Sequence, residues 1–434
     1  MRRKKEPHEN KRKGLSLKPL IIGMSACVVL LGGVLLWAVL GSVRLEPESG
    51  HGLGIVDAVN TMGLQKKTQE LAAKPSAASS ESQTLTANET DAEEINETED
   101  QKAEQTLEEE STKALVYQQI NEATMANSKS GVADVTQLTD VAADDVRLWI
   151  EAYTYGNWPY LEGEPVTKEA QDEILARRNL EGILDPITLK YGVITQNAAV
   201  RAFPTWKKAS TSLDAHSFDY FQESMLMTGE AAVIVHQTAD GIWSFVQAQN
   251  YRGWVETDKI ACCTLDELKK WQETKRAVVT DARLTLAGTN VTLRMGTALP
   301  AKEESEGILM VSIPDDKGQL VITNVETAQD GIHFGYLDMT QENILDQAKK
   351  LVGMAYGWGD SNGDMDCSST MNAIYRCFGI ILPRNTGSMA QTGTQIVSLE
   401  GMTQEEKLEK IQSMKPGTLL VMKNHVVMYI GQEN

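Results

Sequence analysis

The sequence predicts a multidomain protein: a membrane helix and an acidic tether, then a pair of small β-barrels, then a C-terminal α+β unit. Three observations predict it. They are an uncharged run of 25 residues near the N-terminus, period-two strands between residues 190 and 340, and a helix-then-sheet pattern after Thr340.

The uncharged run is "PLIIGMSACVVLLGGVLLWAVLGSV", Pro19 to Val43, whereas about 20 apolar residues suffice to span a bilayer. Residues 1–18 carry eight Lys/Arg against two acids. The positive-inside rule then places this basic segment in the cytoplasm and the rest of the chain outside, on a single-pass anchor. From 44 to 135 large apolar residues are sparse, and "KPSAASSESQTLTANETDAEEINETEDQKAEQTLEEESTK" cannot bury enough surface to offset its ordering entropy. The segment reads as a disordered acidic tether, with a lone helix over about 100–120 as the alternative for part of it.

Residues 136–189 form a helical segment, "DDVRLWIEAYTYG" and "TKEAQDEILARRNL" flanking a loop, with Thr167 as N-cap of the second helix. From 190 to 265 the period changes. "AAVIVHQTADGIWSFVQAQNYRGWVE" reads as strands around an Asp240-Gly241 turn, with Trp243, Phe245 and Trp254 as barrel core. A second all-β stretch covers 266–339, where "ILMVSIPDDKGQLVIT" gives a hairpin across Pro314 to Gly318. His216, His236 and His333 read as ordinary strand or loop residues.

At Thr340 the pattern becomes helical, with Ile344, Leu345, Ala348, Leu351 and Val352 on one face. Next comes "YGWGDSNGDMDCSSTM", which sets Cys367 between a glycine-rich aromatic loop and the start of a helix that Gly379 closes. A charged helix over about 404–413 and two strands, "PGTLLVMK" and "HVVMYIG", complete the unit. A cysteine at a helix N-terminus faces unpaired N–H groups and the positive end of the dipole, which favour thiolate. The one histidine C-terminal to it is His425, 58 residues on. Nucleophile on the helix and base on the strand form one expected arrangement; a buried structural Cys367 is the other.

Composition excludes several classes. The formal charge is −19, and without residues 1–18 the chain carries 33 basic against 58 acidic residues, a net of −25, which repels nucleic acid. The five cysteines do not form a disulfide framework, CxxC spacing is absent and the six histidines are scattered, so neither a metal nor another cofactor is expected.

Taken together, "YGWGDSNGDMDCSSTMNAIYRCFGIILPRNTGSMAQTG" and "KPGTLLVMKNHVVMYIG" resemble the NlpC family of bacterial cell-wall cysteine peptidases, over about 340–434. "RAFPTWKKASTSLDAHSFDYFQESMLMTGEAAVIVH" with "DGIWSFVQAQNYRGWV" resembles the bacterial SH3-like module that accompanies one branch of that family, and 266–339 would be a second, more diverged SH3-like barrel. The resemblance implies a papain-like α+β fold. It also implies hydrolysis of peptidoglycan stem peptides between D-γ-glutamyl and the diamino acid, at the bacterial cytoplasmic membrane. It assigns attack to Cys367, proton transfer to His425, oxyanion stabilisation to Tyr356 with the Cys367 N–H, and capture of the stem's free amine to Asp366 and Ser368. Trp358 and Arg384 would shape and brace the substrate loop. Asp366 is equally a plain helix N-cap, and the two roles are compatible. The family carries a third polar residue about a dozen positions after the catalytic histidine, whereas this chain stops at Asn434. The peptidase unit therefore reads as truncated, without its usual orienting group for the imidazole. A wall-binding scaffold with a defunct site is the alternative function.

Overall fold

A computed structural model describes residues 54–57 and 116–432 except 157, 214–217, 303–306 and 328–329. The expected basic segment and membrane helix, with His216, lie outside the described residues. Among the described residues, no helix is long and apolar enough to cross a membrane.

The first β region is a seven-stranded antiparallel sheet. Its order is Ile260–Cys263, Lys190–Ile194, Ala231–Gln237, Trp243–Ala248, Arg252–Glu256, Ala198–Arg201, Gln222–Leu226. Strand Ala231–Gln237 is buried almost throughout, because the curved sheet encloses apolar residues on one face and is covered on the other. Trp243, Phe245 and Trp254 are all buried. They pack with Val146 and Ile150 of the helix Ala143–Glu151, so the helical segment and the barrel share one core. Thr167 caps the helix Lys168–Ala176 by accepting from the Ala170 N–H.

The second β region was expected to begin at 266, but residues Leu265–Glu273 form a helix whose Leu268 and Trp271 join the core of the first barrel. The cause is local. Thr264 and Glu267 form a reciprocal capping box, and the two apolar residues, three apart, share a face. Beyond it, Arg276–Val279 pairs with Ala298–Pro300 and Ile332–Phe334, Arg283–Thr285 with Thr292–Arg294, and Ile308–Pro314 with Leu320–Glu326. These short sheets share the core of Val279, Leu286, Leu293, Leu299 and Leu309.

The tether expected over 44–135 is shorter than its composition suggests. Residues 116–126 are helical, and Val116 and Ile120 are buried against Ile344, Met371 and Phe378. Val116, Ile120 and the buried Thr124 recur at four-residue spacing and so form one stripe. Asn121 fastens this helix to the C-terminal unit, donating to the Gly379 carbonyl at 2.8 Å and accepting from the Ile381 N–H at 3.0 Å. Gly54–Asp57 also falls within the expected tether, yet it pairs antiparallel with both Gln395–Ser398 and Leu419–Met422.

The C-terminal unit holds the helices Gln341–Lys350, Cys367–Arg376 and Gln404–Gln412. Its sheet runs Gln395–Ser398, Gly54–Asp57, Leu419–Met422, His425–Met428 in order. Asn424, at φ 61°, closes the tight turn that makes His425 the first paired residue, opposite Met422.

Candidate active site

Cys367 is the first residue of its helix and is buried, with 5% exposure. Asp366 caps the helix: its Oδ1 accepts from the Ser369 N–H at 2.9 Å, and its own N–H donates to Ser369 Oγ at 2.9 Å. The helix packs on the strand His425–Met428, and the N–H groups of Val426 and Ser368 are directed at the Cys367 sulfur. The structure thus brings the chain segment of His425 to the nucleophile candidate across 58 residues of sequence.

The electrostatics differ from the expectation that the helix start favours thiolate. Burial, and then the Asp366 carboxylate next to it, push the Cys367 thiol up, and together they outweigh the two N–H donors and Arg384. Burial lowers the His425 imidazole. Both groups are therefore held towards their neutral forms. Among the described residues, no side chain hydrogen-bonds to the His425 imidazole.

Arg384 organises the polar side of the site. It is 5% exposed, and its guanidinium is engaged on both sides by protein groups. Its Nη1 donates to Asp366 Oδ1 at 3.2 Å and Ser368 Oγ at 2.7 Å, and its Nη2 donates to Asp366 Oδ2 at 2.6 Å. On its other side, Nε donates to Ser224 Oγ at 2.7 Å and Nη2 to the Glu223 carbonyl at 3.2 Å. Burial alone would raise the Asp366 carboxyl, but the Arg384 guanidinium and the Ser369 and Ser368 donors bring it below its ordinary value.

Glu223 and Ser224 lie on the barrel's edge strand, and neither is legible as a site residue in the sequence. Glu223 Oε2 accepts from Tyr251 Oη at 2.6 Å, and burial pushes the Glu223 carboxyl up. The same strand clasps the loop before Cys367. Gln222 donates to the Gly359 carbonyl at 2.8 Å, and a Cβ on Gly359 would stand 2.4 Å from the Gln222 carbonyl oxygen. Gly359 at φ 58° is therefore required to be glycine for room as well as for conformation.

Aromatic rings from both units meet beside this loop. Phe218 stacks on Trp358 with centroids 5.4 Å apart and lies 6.0 Å from Tyr356. Tyr220 stands 5.6 Å from Trp358 and stacks on Trp158 at 4.3 Å. Phe218 and Trp358 keep 40% and 37% exposure, which makes them a wall facing solvent. Of the residues singled out in the sequence, Cys367, Asp366, Ser368 and Arg384 form one cluster, Tyr356 and Trp358 flank it through the loop, and His425 joins it through the backbone next to Val426.

Two stretches of the chain match known families. Residues 204–256 match the SH3 domain of the SH3b1 type, and residues 353–434 match the NlpC/P60 family. A γ-D-glutamyl-L-lysine dipeptidyl-peptidase from Bacillus cereus (strain ATCC 10987 / NRS 248) is 28% identical over 94 residues, which are 21% of this chain and 27% of that protein. A solved structure of a novel NlpC/P60 endopeptidase from Photobacterium damselae subsp. piscicida is similar in fold, with a TM-score of 0.50 and 23% identity. That likeness covers 62% of this chain and 63% of the other. The chain thus spans about a quarter of the curated relative's length and just under two thirds of the solved neighbour's. The helix-borne cysteine and the strand-borne histidine lie in the stretch that matches the NlpC/P60 family, 353–434, and the barrel edge beside them lies in the stretch that matches the SH3 domain, 204–256.

Proposed function

We propose that the protein is a peptidoglycan stem-peptide hydrolase that cleaves the bond between D-γ-glutamyl and the diamino acid. The single observation that carries this reading is the clamp of Arg384 on Asp366 and Ser368, directly beside Cys367 at the helix start, whose sulfur faces the Val426 backbone.

Cys367 attacks the γ-glutamyl carbonyl carbon while His425 accepts the thiol proton. His425 then protonates the leaving amine, and water releases the acyl group from Cys367 by the reverse proton path. A neutral thiol beside a neutral imidazole suits this order, because the base is free to take the proton as the bond forms. Tyr356 and the Cys367 N–H supply donors to the oxyanion.

Asp366 and Ser368 take the free ammonium of the stem's L-alanine, next to Glu223 on the barrel's edge strand. Asp366 Oδ1 already accepts from Arg384, Ser368 and Ser369, whereas Oδ2 accepts from Arg384. That leaves a lone pair on Oδ2, and Glu223 adds a second carboxylate fixed by Tyr251. The Phe218–Trp358 wall supplies apolar contact for the stem. The strands from Arg276 to Phe334 act as a second SH3-like barrel, and 19–43 anchor the chain in the bacterial cytoplasmic membrane with the N-terminus inside.

A second reading, a wall-binding scaffold, is favoured by one observation: the imidazole of His425 lacks an orienting side chain among the described residues. Incubating the full-length protein and its Cys367→Ala variant with L-Ala-γ-D-Glu-diaminopimelate, and with the N-acetylated tripeptide, separates the two. Release of the diamino acid that requires both Cys367 and the free amine supports the hydrolase. A folded wild-type protein that releases none supports the scaffold.

A further inference from the structure

Arg294 belongs to the second β region, on the strand Thr292–Arg294, far in sequence from Cys367. Its Nη2 donates to Asp360 Oδ2 at 3.3 Å, and both side chains are buried, at 7% and 1% exposure. Asp360 sits at φ 66° in the loop before Cys367, a conformation a non-glycine residue keeps only when its surroundings hold it. The same Oδ2 lies 3.6 Å from Arg384 Nη2, the nitrogen that also reaches Asp366 Oδ2. Among the described residues, Asp360 Oδ1 and the Nε and Nη1 of Arg294 have no hydrogen-bond partner. Arg294, Asp360 and Arg384 line one polar cavity of about 20 Å³, with Ser224 and Ser369 in its wall. Three separate parts of the chain therefore meet in a single line of charge: Arg294, Asp360, Arg384, Asp366.

We propose that Arg294 is a positioning residue for the active site, which neutralises Asp360 so that Arg384 stays committed to Asp366, Ser368 and the Glu223 carbonyl. The second β region is then part of the catalytic scaffold rather than an appended module. Without Arg294, the buried Asp360 carboxylate has Arg384 as its remaining cation. A buried charge that loses its partner draws whatever countercharge is in reach. Arg384 shifts towards Asp360, and the hydroxyl and carboxylates of the amine pocket lose their brace.

This inference rests on the proposed peptidase reading, and its test separates the two. The full-length protein, Arg294→Met, Arg294→Lys and the double variant Arg294→Met/Asp360→Asn are compared on the free-amine and N-acetylated tripeptides. Asparagine tolerates the left-handed conformation at 360, so the double variant removes the stranded charge without new backbone strain. The expected result is that Arg294→Met lowers the preference for the free amine by about tenfold or more. Arg294→Lys and the double variant restore most of it.

The second readout needs no turnover: the pH dependence of iodoacetamide alkylation at Cys367, located by peptide mass spectrometry. The ionisable groups acting on this thiol are Asp366 and Arg384, and His425 begins the strand packed against its helix. As Arg384 recedes, the alkylation midpoint moves to higher pH in Arg294→Met and returns in the double variant. An unchanged midpoint in Arg294→Met, or no return in the double variant, overturns the positioning role. A shifted and restored midpoint in a protein that cleaves neither tripeptide upholds the positioning role and removes the peptidase reading instead.

Discussion

Arg384 holds both carboxylate oxygens of Asp366, at 3.2 and 2.6 Å, directly behind the residue that starts the nucleophile helix. The pair is buried on both sides, so it acts as a fixed strut between the barrel edge and the helix N-terminus. Removing one partner of a buried pair leaves an uncompensated charge, which is worse than removing both. Arg384→Met is predicted to destabilise the protein by about 3 kcal/mol in urea unfolding. A loss no larger than that of a surface arginine would show that the strut is idle. The depressed Asp366 carboxyl adds a sign: its contribution is complete above the unfolded carboxylate value and is lost as pH falls through the folded one. Wild type should therefore lose more stability on acidification than Arg384→Met does.

Cys367→Ala is predicted to reduce release of the diamino acid by at least about 10³-fold while leaving the fold intact. The side chain is small and the helix cap is made by Asp366 and Ser369, so circular dichroism and thermal unfolding should be unchanged. Residual cleavage near the wild-type rate would reassign the nucleophile.

The burial shifts of Cys367 and His425 predict a pH profile. The reaction needs a neutral imidazole, and burial lowers His425, so the acid limb of kcat/KM should fall below the ordinary imidazole value of about 6.5. The thiol is raised, so the alkaline limb should lie above the ordinary thiol value of about 8.5. A profile that peaks sharply near pH 5 would instead indicate a thiolate–imidazolium pair. The lowered His425 also contributes stability that is present at neutral pH and is lost as pH falls through its folded value.

Asn121→Ala is predicted to cost about 1–2 kcal/mol, because the Gly379 carbonyl and the Ile381 N–H lose their partner together. Hydrogen exchange at residues 116–126 should rise with it. Unchanged protection there would mean that Val116 and Ile120 hold the helix alone.

Gly359→Ala tests the clasp between barrel and loop. The added Cβ meets a backbone carbonyl at 2.4 Å in a left-handed conformation, so neither a rotamer change nor a small shift relieves it. Activity is expected to fall well beyond the change in unfolding midpoint, since the loop carries Tyr356 and Trp358 beside the nucleophile. Equal activity in a folded variant would separate the loop from the site.

The sequence by itself determined the elements whose signals are local. Trp243, Phe245 and Trp254 lie on strands and are buried in the barrel core; Thr167 and Asp366 precede helices and cap them. Cys367 at a helix start, and His425 at the head of a strand closed by a two-residue turn, were equally readable. Other local signals were present but overlooked. The Thr264–Glu267 capping box marked the helix at 265–273, and the four-residue spacing of Val116, Ile120 and Thr124 marked the helix at 116–126 beneath an acidic composition.

Only the tertiary structure decided which distant groups share a dielectric and a countercharge. Nothing within a few residues of Glu223, Tyr251 or Arg294 announces a role, and the aromatic loop around Asp360 does not announce its partner. Each acquires its partner across tens of residues, when the barrel edge and the second β region close on the loop before Cys367. The ionisation of Cys367 was decided the same way. A helix start favours thiolate, but burial and the Asp366 charge act through space, and their sum has the opposite sign. Caps, helix faces and tight turns follow from neighbours along the chain, whereas electrostatic free energies follow from burial and distance, which a linear sequence does not contain.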